Sequence, residues 1–158
     1  MKTTSNLLLL TLLATSLSGC LTVGTQGGSD TGNPDSVISD AIGPKLSVAA
    51  CDTLNFCISG FDRRTCQSAG LNIDNVAPQL GLQNKNTLNE IDSALSFGSA
   101  KLERDNLNSC LSHLHNLRCS DLPINQIWDR NYPSDYRGLA KLWVSVKDVC
   151  GNVVRPKP

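Results

Sequence analysis

The chain carries seven cysteines and two histidines, side chains that can bind metal ions, form disulfides or act as nucleophiles. No two of the cysteines have the CxxC spacing of zinc ribbons and zinc fingers. His113 and His115 are two residues apart, which on a helix places them about 200° apart around the axis. They cannot bind one metal ion together while that helix persists. The sequence therefore predicts no metal site and no cofactor.

The cysteine count is odd, and an odd count in an exported protein leaves one thiol to be explained. The first cysteine, Cys20, stands apart from the other six. Those six can form three disulfides, which an oxidising compartment favours. They are Cys51, Cys57, Cys66, Cys110, Cys119 and Cys150.

Helix geometry excludes two of the pairings, because bridged Cα atoms lie within about 7 Å of each other. Cys51 and Cys57 would be separated by about 9 Å of rise along one helix. Cys110 and Cys119 would be about 13 Å apart if their helix persists between them. Neither pair is expected to form a disulfide.

One pairing is compatible with a helical hairpin. Cys57 and Cys66 flank a break at Gly60, and a bond between them would join two successive helices. The other four cysteines would then form two bonds in one of two ways, Cys51 and Cys150 each pairing with Cys110 or Cys119.

The first 20 residues have the features of a bacterial export signal. Lys2 supplies a positive charge, and the apolar run Leu7–Leu17 is shorter than the about 20 residues that span a bilayer. The run ends in Leu17-Ser18-Gly19-Cys20, which resembles the lipobox of bacterial lipoproteins at every position. The resemblance implies cleavage before Cys20 and acylation of its sulfur, with the membrane as a partner. Two or more acyl chains anchor a protein stably, whereas one is marginal.

The residue after the cysteine is Leu21 rather than Asp. In bacteria with two membranes, an Asp at this position is the usual signal for retention in the inner membrane. The resemblance therefore implies a lipid-anchored protein of the cell envelope at the outer membrane, on its periplasmic face or at the cell surface.

Composition divides the chain into three parts. From Thr22 to Pro44 it shifts to Gly, Ser, Thr, Asn, Asp and Pro, which cannot bury enough apolar surface to offset the entropy of ordering. We expect a signal peptide over residues 1–19, a lipidated cysteine with a flexible tether over 20–44, and a helical six-cysteine domain over 45–158.

Apolar residues at three- and four-residue steps predict that helices position the six cysteines. The start and stop signals are Pro44 and Gly60 for the first helix, Asp62 and Gly70 for the second, a Thr87–Glu90 capping box for the third, and Asp105 and Arg118 for the clearest helix. A last helix is expected from an N-cap at Ser134, with Gly151 left-handed after its C-terminus. The predicted class is all-α, a small disulfide-stapled domain of four or five short helices.

Four of the seven aromatic residues fall within sixteen positions, interleaved with charged side chains. Trp, Tyr and Arg are favoured anchors of recognition surfaces, so this segment is a candidate patch for binding a sugar or a protein. The patch comprises Trp128, Arg130, Tyr132 and Tyr136. In the alternative, which we favour, Trp143 belongs to the core and the other aromatics pack over a loop pinned by Pro123 and Pro133.

Catalytic signatures are weak. The chain has no G-x-S-x-G nucleophile motif. The carboxylate pairs Asp129 with Asp135 and Glu103 with Asp105 are loose candidates for acid–base chemistry, but caps and solvated faces account for them better. No catalytic residue is predicted.

Net charge and cysteine spacing exclude some classes of function but do not identify one. Formal net charge is zero, and no basic stripe suited to nucleic acid is present. The spacings C-x5-C-x8-C and C-x8-C loosely resemble those of uncharacterised Cys-rich helical lipoproteins of proteobacteria. The prediction is a non-enzymatic envelope lipoprotein that binds an envelope protein or glycan or has a structural role. The alternatives are an envelope enzyme acting on cell-wall or glycan material and an inhibitor or immunity-type protein.

Overall fold

The computed structural model describes residues 41–158, and helices dominate this range. The α-helices are α1 Ile42–Cys57, α2 Arg63–Gly70, α3 Leu88–Ser96, α4 Arg104–Asn116, α5 Ile124–Ile127, α6 Leu139–Ser145 and α7 Lys147–Cys150. The strands are β1 Ala100–Leu102 and β2 Val154–Pro156, and 3-10 helices span Ala77–Leu80 and Cys119–Asp121. The all-α class is confirmed. Two four-residue helices bring the number in the described range to seven rather than four or five.

The predicted signal peptide, Cys20 and the predicted tether up to residue 40 lie outside the described residues. The helix α1 starts at Ile42, three residues before the expected domain boundary at Lys45. Pro44 falls in its first turn, where a backbone N–H has no helical partner to lose. A proline at this position therefore does not oppose the helix.

The start of α1 is capped by a side chain from a distant element. Ala41 provides no side-chain hydrogen bond. Instead, the Asp92 carboxylate on α3 accepts hydrogen bonds from the backbone N–H of Ile42 at 2.8 Å and of Gly43 at 3.1 Å. A carboxylate also compensates the positive end of the helix dipole. Asp92 thereby fixes the point where the chain enters the fold.

The caps predicted for α2 and α3 are confirmed. The Asp62 carboxylate accepts hydrogen bonds from the N–H of Arg64 at 3.0 Å and of Thr65 at 3.1 Å. At α3, the Thr87 hydroxyl accepts from the Glu90 N–H at 3.2 Å, and the Glu90 carboxylate accepts from the Thr87 N–H at 3.0 Å. Both caps depend on side chains within three residues, so local sequence is enough to predict them.

The last predicted helix differs from the observed one. Its first turn is not at Ser134, because the Asp135 carboxylate accepts the Arg137 N–H at 3.0 Å and holds this segment in a local turn. The helix begins at Leu139 and is broken at Val146 into α6 and α7. Gly151 has φ −69° rather than the expected left-handed conformation.

One hydrophobic core runs through the domain, and α1 is central to it because it packs against α2, α3 and α4. The side chains in this core are fully or almost fully buried. They include Leu46, Leu54, Leu80, Leu88, Ile91, Leu114, Leu142 and Trp143.

The six cysteines form three disulfides, as predicted, but not all in the expected pairs. The bonds are Cys51–Cys66, Cys57–Cys119 and Cys110–Cys150, with Cα–Cα distances of 5.9, 5.2 and 4.8 Å. The absence of Cys51–Cys57 and Cys110–Cys119 bonds agrees with helix geometry.

The predicted Cys57–Cys66 bond is wrong, and the packing of α1 against α2 explains why. The Ser47 hydroxyl donates to the Gln67 carbonyl at 2.8 Å, and Arg63 pairs with Asp52. This antiparallel register places Cys66 beside Cys51. Cys57 therefore lies beyond the reach of α2 and bonds to Cys119, which follows α4.

The C-terminus is held by a two-stranded antiparallel sheet. Lys101 lies opposite Arg155 and Leu102 opposite Val154. Val153 and Val154 are fully buried, so the strand that follows Cys150 also contributes to the core.

Candidate functional site

The lipidation site predicted at Cys20 lies outside the described residues, which leaves the aromatic segment as the predicted site that the structure can place. The patch residues of this segment, within 128–136, lie between α5 and α6. Its members have very different exposures, so each is described separately.

Tyr136 is part of the core. Its side chain is only 5% exposed, and its ring meets the Phe61 ring edge-on with centroids 5.8 Å apart. Its hydroxyl donates a hydrogen bond to the Asp62 carbonyl at 3.1 Å. Burial, with a smaller contribution from the Asp62 charge, raises the pKa of Tyr136. Including Tyr136 in an exposed patch is therefore incorrect, because its ring packs inward and its polar group is already used.

Trp128 lies at the edge of the core. Its side chain is half-buried, and its ring is 6.4 Å from Phe61 in an edge-to-face arrangement at 65°. The indole Nε1 is buried without a hydrogen-bond partner among the described residues. Edge-to-face rings contribute beyond the area they bury. Trp128 and Tyr136 thus share Phe61 as a packing partner, which favours the packing interpretation for both.

Tyr132 and Arg130 do lie on the surface. Tyr132 is 68% exposed and sits on a turn in which its N–H donates to the Asp129 carbonyl at 3.1 Å. The Asp129 carboxylate accepts the Asn131 N–H at 2.8 Å, which stabilises the same turn. Arg130, within this turn, is exposed. The exposed part of the predicted patch is therefore a single tyrosine and an arginine on a defined turn.

Asp135, considered with Asp129 for acid–base chemistry, is held as a carboxylate by Arg137. The guanidinium Nε donates to Asp135 Oδ1 at 2.9 Å and Nη2 donates to Oδ2 at 2.6 Å. These side-chain hydrogen bonds, followed by one from the Arg137 N–H, lower the pKa of Asp135 to about 2. A carboxyl group with this pKa stays ionised near neutral pH and cannot donate a proton there.

Glu103, the other carboxylate considered, lies between two cations at the sheet. Its Oε1 is 3.8 Å from Lys101 Nζ and 3.9 Å from Arg155 Nε. Because Lys101 and Arg155 face each other across the strands, Glu103 offsets the repulsion between like charges. This position assigns Glu103 a structural role.

A shallow, open depression on α4 and α7 was not predicted from the sequence. Five of its six lining residues are polar, and the six are Asn108, Ser109, Ser112, His113, Asn116 and Val149. The polar residues recur at three- and four-residue steps on α4, which is the spacing of one helix face. That spacing was the available signal, but it is equally typical of a solvated face. His115 lies outside this lining and is exposed.

Within residues 41–158, no group of three or more His, Cys, Asp and Glu side chains is placed to hold a metal ion. No helix of that range combines the length and hydropathy needed to cross a membrane. No protein-family model matches this chain, and comparisons with curated proteins and with solved structures also give no match.

Proposed function

We propose that this chain is a lipid-anchored lipoprotein of the cell envelope, and that its helical domain has a non-enzymatic binding or structural role. The observation that carries the proposal is the cysteine arrangement. All six cysteines of the domain are paired, which leaves Cys20 as the one cysteine without a disulfide partner in the domain. Cys20 is also the cysteine of the lipobox-like Leu17-Ser18-Gly19-Cys20.

The disulfides support export as well. Structural disulfides form and persist in oxidising compartments such as the bacterial periplasm and the cell surface. Two of the three bonds are between fully buried cysteines, where they lie inside the core rather than at a reactive surface. A thioether to lipid at Cys20 would then account for every cysteine of the chain.

A binding role is favoured over an enzymatic one by the state of the polar groups in the aromatic segment. Asp135 is fixed as a carboxylate by Arg137, and the Tyr136 hydroxyl donates to a backbone carbonyl. Tyr132, by contrast, presents an exposed ring on a turn stabilised by Asp129, beside exposed Arg130. An exposed tyrosine next to an arginine suits contact with an envelope protein or glycan.

The anchor is tested by replacing its cysteine. The Cys20→Ser variant should lose acyl labelling and accumulate as uncleaved precursor or soluble protein, whereas the matched tether variant Ser29→Ala should be labelled and fractionate like the wild type. Mass analysis of the N-terminal peptide reads out the lipid directly. Lipid attachment that persists in Cys20→Ser would refute the proposal.

The outer-membrane location is tested separately. Leu21→Asp should shift the acylated protein from outer-membrane to inner-membrane fractions, because it creates the usual retention signal. Leu21→Ala serves as the control and should leave the distribution unchanged. An acylated wild-type protein found in the inner membrane would contradict the location and leave the lipid anchor intact.

A further inference from the structure

The three disulfides differ in how well the protein protects them. The four cysteines of two bonds, Cys51–Cys66 and Cys110–Cys150, are fully buried. Cys57 and Cys119 are only partly buried. Thiol–disulfide exchange requires a thiolate to reach a sulfur, so access strongly affects the rate. On this criterion the Cys57–Cys119 bond differs from the other two.

The surroundings of this bond are also open to an incoming protein. Cys57 is the last residue of α1, and Cys119 is the first residue of a 3-10 helix that follows α4. Phe56, next to Cys57, is an apolar side chain that is 84% exposed. Arg118 and Ser120, on either side of Cys119, are exposed. Both cysteines thus lie at element ends and are partly buried, whereas the four cysteines of the other two disulfides are fully buried.

The bond also holds a particular part of the chain. It fixes the start of the segment 117–137, which runs from the end of α4 to the start of α6. This segment is otherwise held by Leu122, Ile127 and Tyr136, which are buried in the core, and by Leu117, Ile124 and Trp128, which are partly buried against it. The bonds Cys51–Cys66 and Cys110–Cys150 lie outside the segment and link α1 to α2 and α4 to α7. Opening Cys57–Cys119 would therefore loosen the segment and leave the helices on either side crosslinked.

We propose that Cys57–Cys119 is a site of thiol–disulfide exchange with a dithiol protein reductant, and that its opening loosens residues 117–137. In the first step, a thiolate of the reductant bonds to one sulfur of the pair and the other sulfur leaves as a thiolate. The second thiol of the reductant then resolves the mixed disulfide. The reductant becomes a disulfide, and this chain gains two thiols and two electrons. The aromatic turn that bears Tyr132 lies within the loosened segment, so exchange would alter the surface assigned above to binding.

The exchange site does not require lipid on Cys20, only export to a compartment where disulfides form. The two proposals can therefore fail separately, because acyl labelling reports on the anchor and thiol labelling reports on the disulfide. A protein without lipid but with a reactive Cys57–Cys119 bond would refute the first proposal alone.

The test is partial reduction of the folded mature protein. Samples are treated with dithiothreitol, or with a thioredoxin-type dithiol protein, quenched with N-ethylmaleimide, and analysed by peptide mass spectrometry. Cys57 and Cys119 should be alkylated together at least about tenfold faster than the four buried cysteines, which need local unfolding to react. Equal rates at all six cysteines, or earlier labelling of Cys110 and Cys150, would overturn the proposal.

Two controls separate exchange from unfolding. The Cys57→Ala/Cys119→Ala variant should yield no thiols at the four buried cysteines at the reductant dose that opens the wild-type bond. Wild-type protein reduced at that dose should be cut faster by trypsin at Arg118 and Arg130, with the rate at Lys85 unchanged. A rate that rises equally at Lys85 would indicate global unfolding and would also overturn the proposal, even if the double variant did not fold.

Discussion

Alanine substitutions in the aromatic segment should differ strongly in how much they lower the free energy of unfolding. Trp143 is 1% exposed, and truncation of a buried Trp to Ala typically costs about 3–5 kcal/mol in free energy of unfolding. Tyr132 is 68% exposed, so Tyr132→Ala should change that free energy by less than about 0.5 kcal/mol. Trp128 is half-buried against Phe61. The loss in free energy of unfolding for Trp128→Ala should therefore lie between those for Tyr132→Ala and Trp143→Ala.

Tyr136 allows a finer measurement. Tyr136→Phe keeps the ring against Phe61 and removes only the hydrogen bond to the Asp62 carbonyl. Net contributions of such hydrogen bonds are about 0.5–1.5 kcal/mol, so the loss should be near 1 kcal/mol. Tyr136→Ala should cost several times more, because it also leaves a cavity in the core.

Thermal unfolding with the disulfides intact gives the comparison. For a domain of this size, 1 kcal/mol corresponds to roughly 4 °C in Tm. Trp143→Ala should then lower Tm by about 12–20 °C, and Tyr132→Ala by about 2 °C or less. Retention on envelope extract is measured on the same proteins. A Tyr132→Ala variant destabilised as strongly as Trp143→Ala would refute the assignment of Tyr132 to an exposed binding surface.

Three further predictions follow from single contacts. In Tyr132→Phe, Tyr136 is the remaining tyrosine. Its ultraviolet titration should have a midpoint above 10.0, because burial raises its pKa. The stability that the protonated Tyr136 hydroxyl contributes should be lost as the pH rises through that midpoint. Hydrogen bonds from Thr65 lower the pKa of Asp62, and those from Asn86 and Thr87 lower the pKa of Glu90. The stability that these two carboxylates contribute should therefore be lost as the pH falls below 3.8 for Asp62 and 4.5 for Glu90. In acid, the Tm of Asp62→Asn and of Glu90→Gln should fall less than that of the wild type. Gly138→Ala should destabilise the fold by about 1–3 kcal/mol in urea unfolding, because a Cβ there would meet the Ile127 carbonyl, whereas Pro44→Ala, at an exposed position, should change stability much less.

Features that depend on neighbouring residues could be predicted from the sequence. The Asp62 cap and the Thr87–Glu90 capping box act across two or three residues, and both occur where expected. The helix with Leu107, Cys110 and Leu114 on its buried face was predicted from their spacing, and its observed range is Arg104–Asn116. In each case the sequence signal and the physical interaction involve the same short segment.

Features that depend on distant residues could not be predicted in this way. Asp92 caps α1 from a position 50 residues away, and nothing near Ile42 indicates it. The pairing of Cys51 with Cys66 depends on the register of two helices, which their packed side chains determine. The candidate binding patch wrongly included Tyr136 for the same reason. The Tyr136 ring packs against Phe61, which precedes α2 and is distant in sequence.

The position of two disulfides on α1 connects the two proposals. The chain enters the described fold at Ile42, and α1, which begins there, carries both Cys51 and Cys57. This helix is capped by Asp92 and crosslinked by two disulfides. Reduction of Cys57–Cys119 would leave Cys51–Cys66 in place, because both of its cysteines are fully buried. Under the second proposal, α1 would therefore stay covalently tied to α2 while the segment that bears Tyr132 changes, so that redox exchange would alter the proposed binding surface.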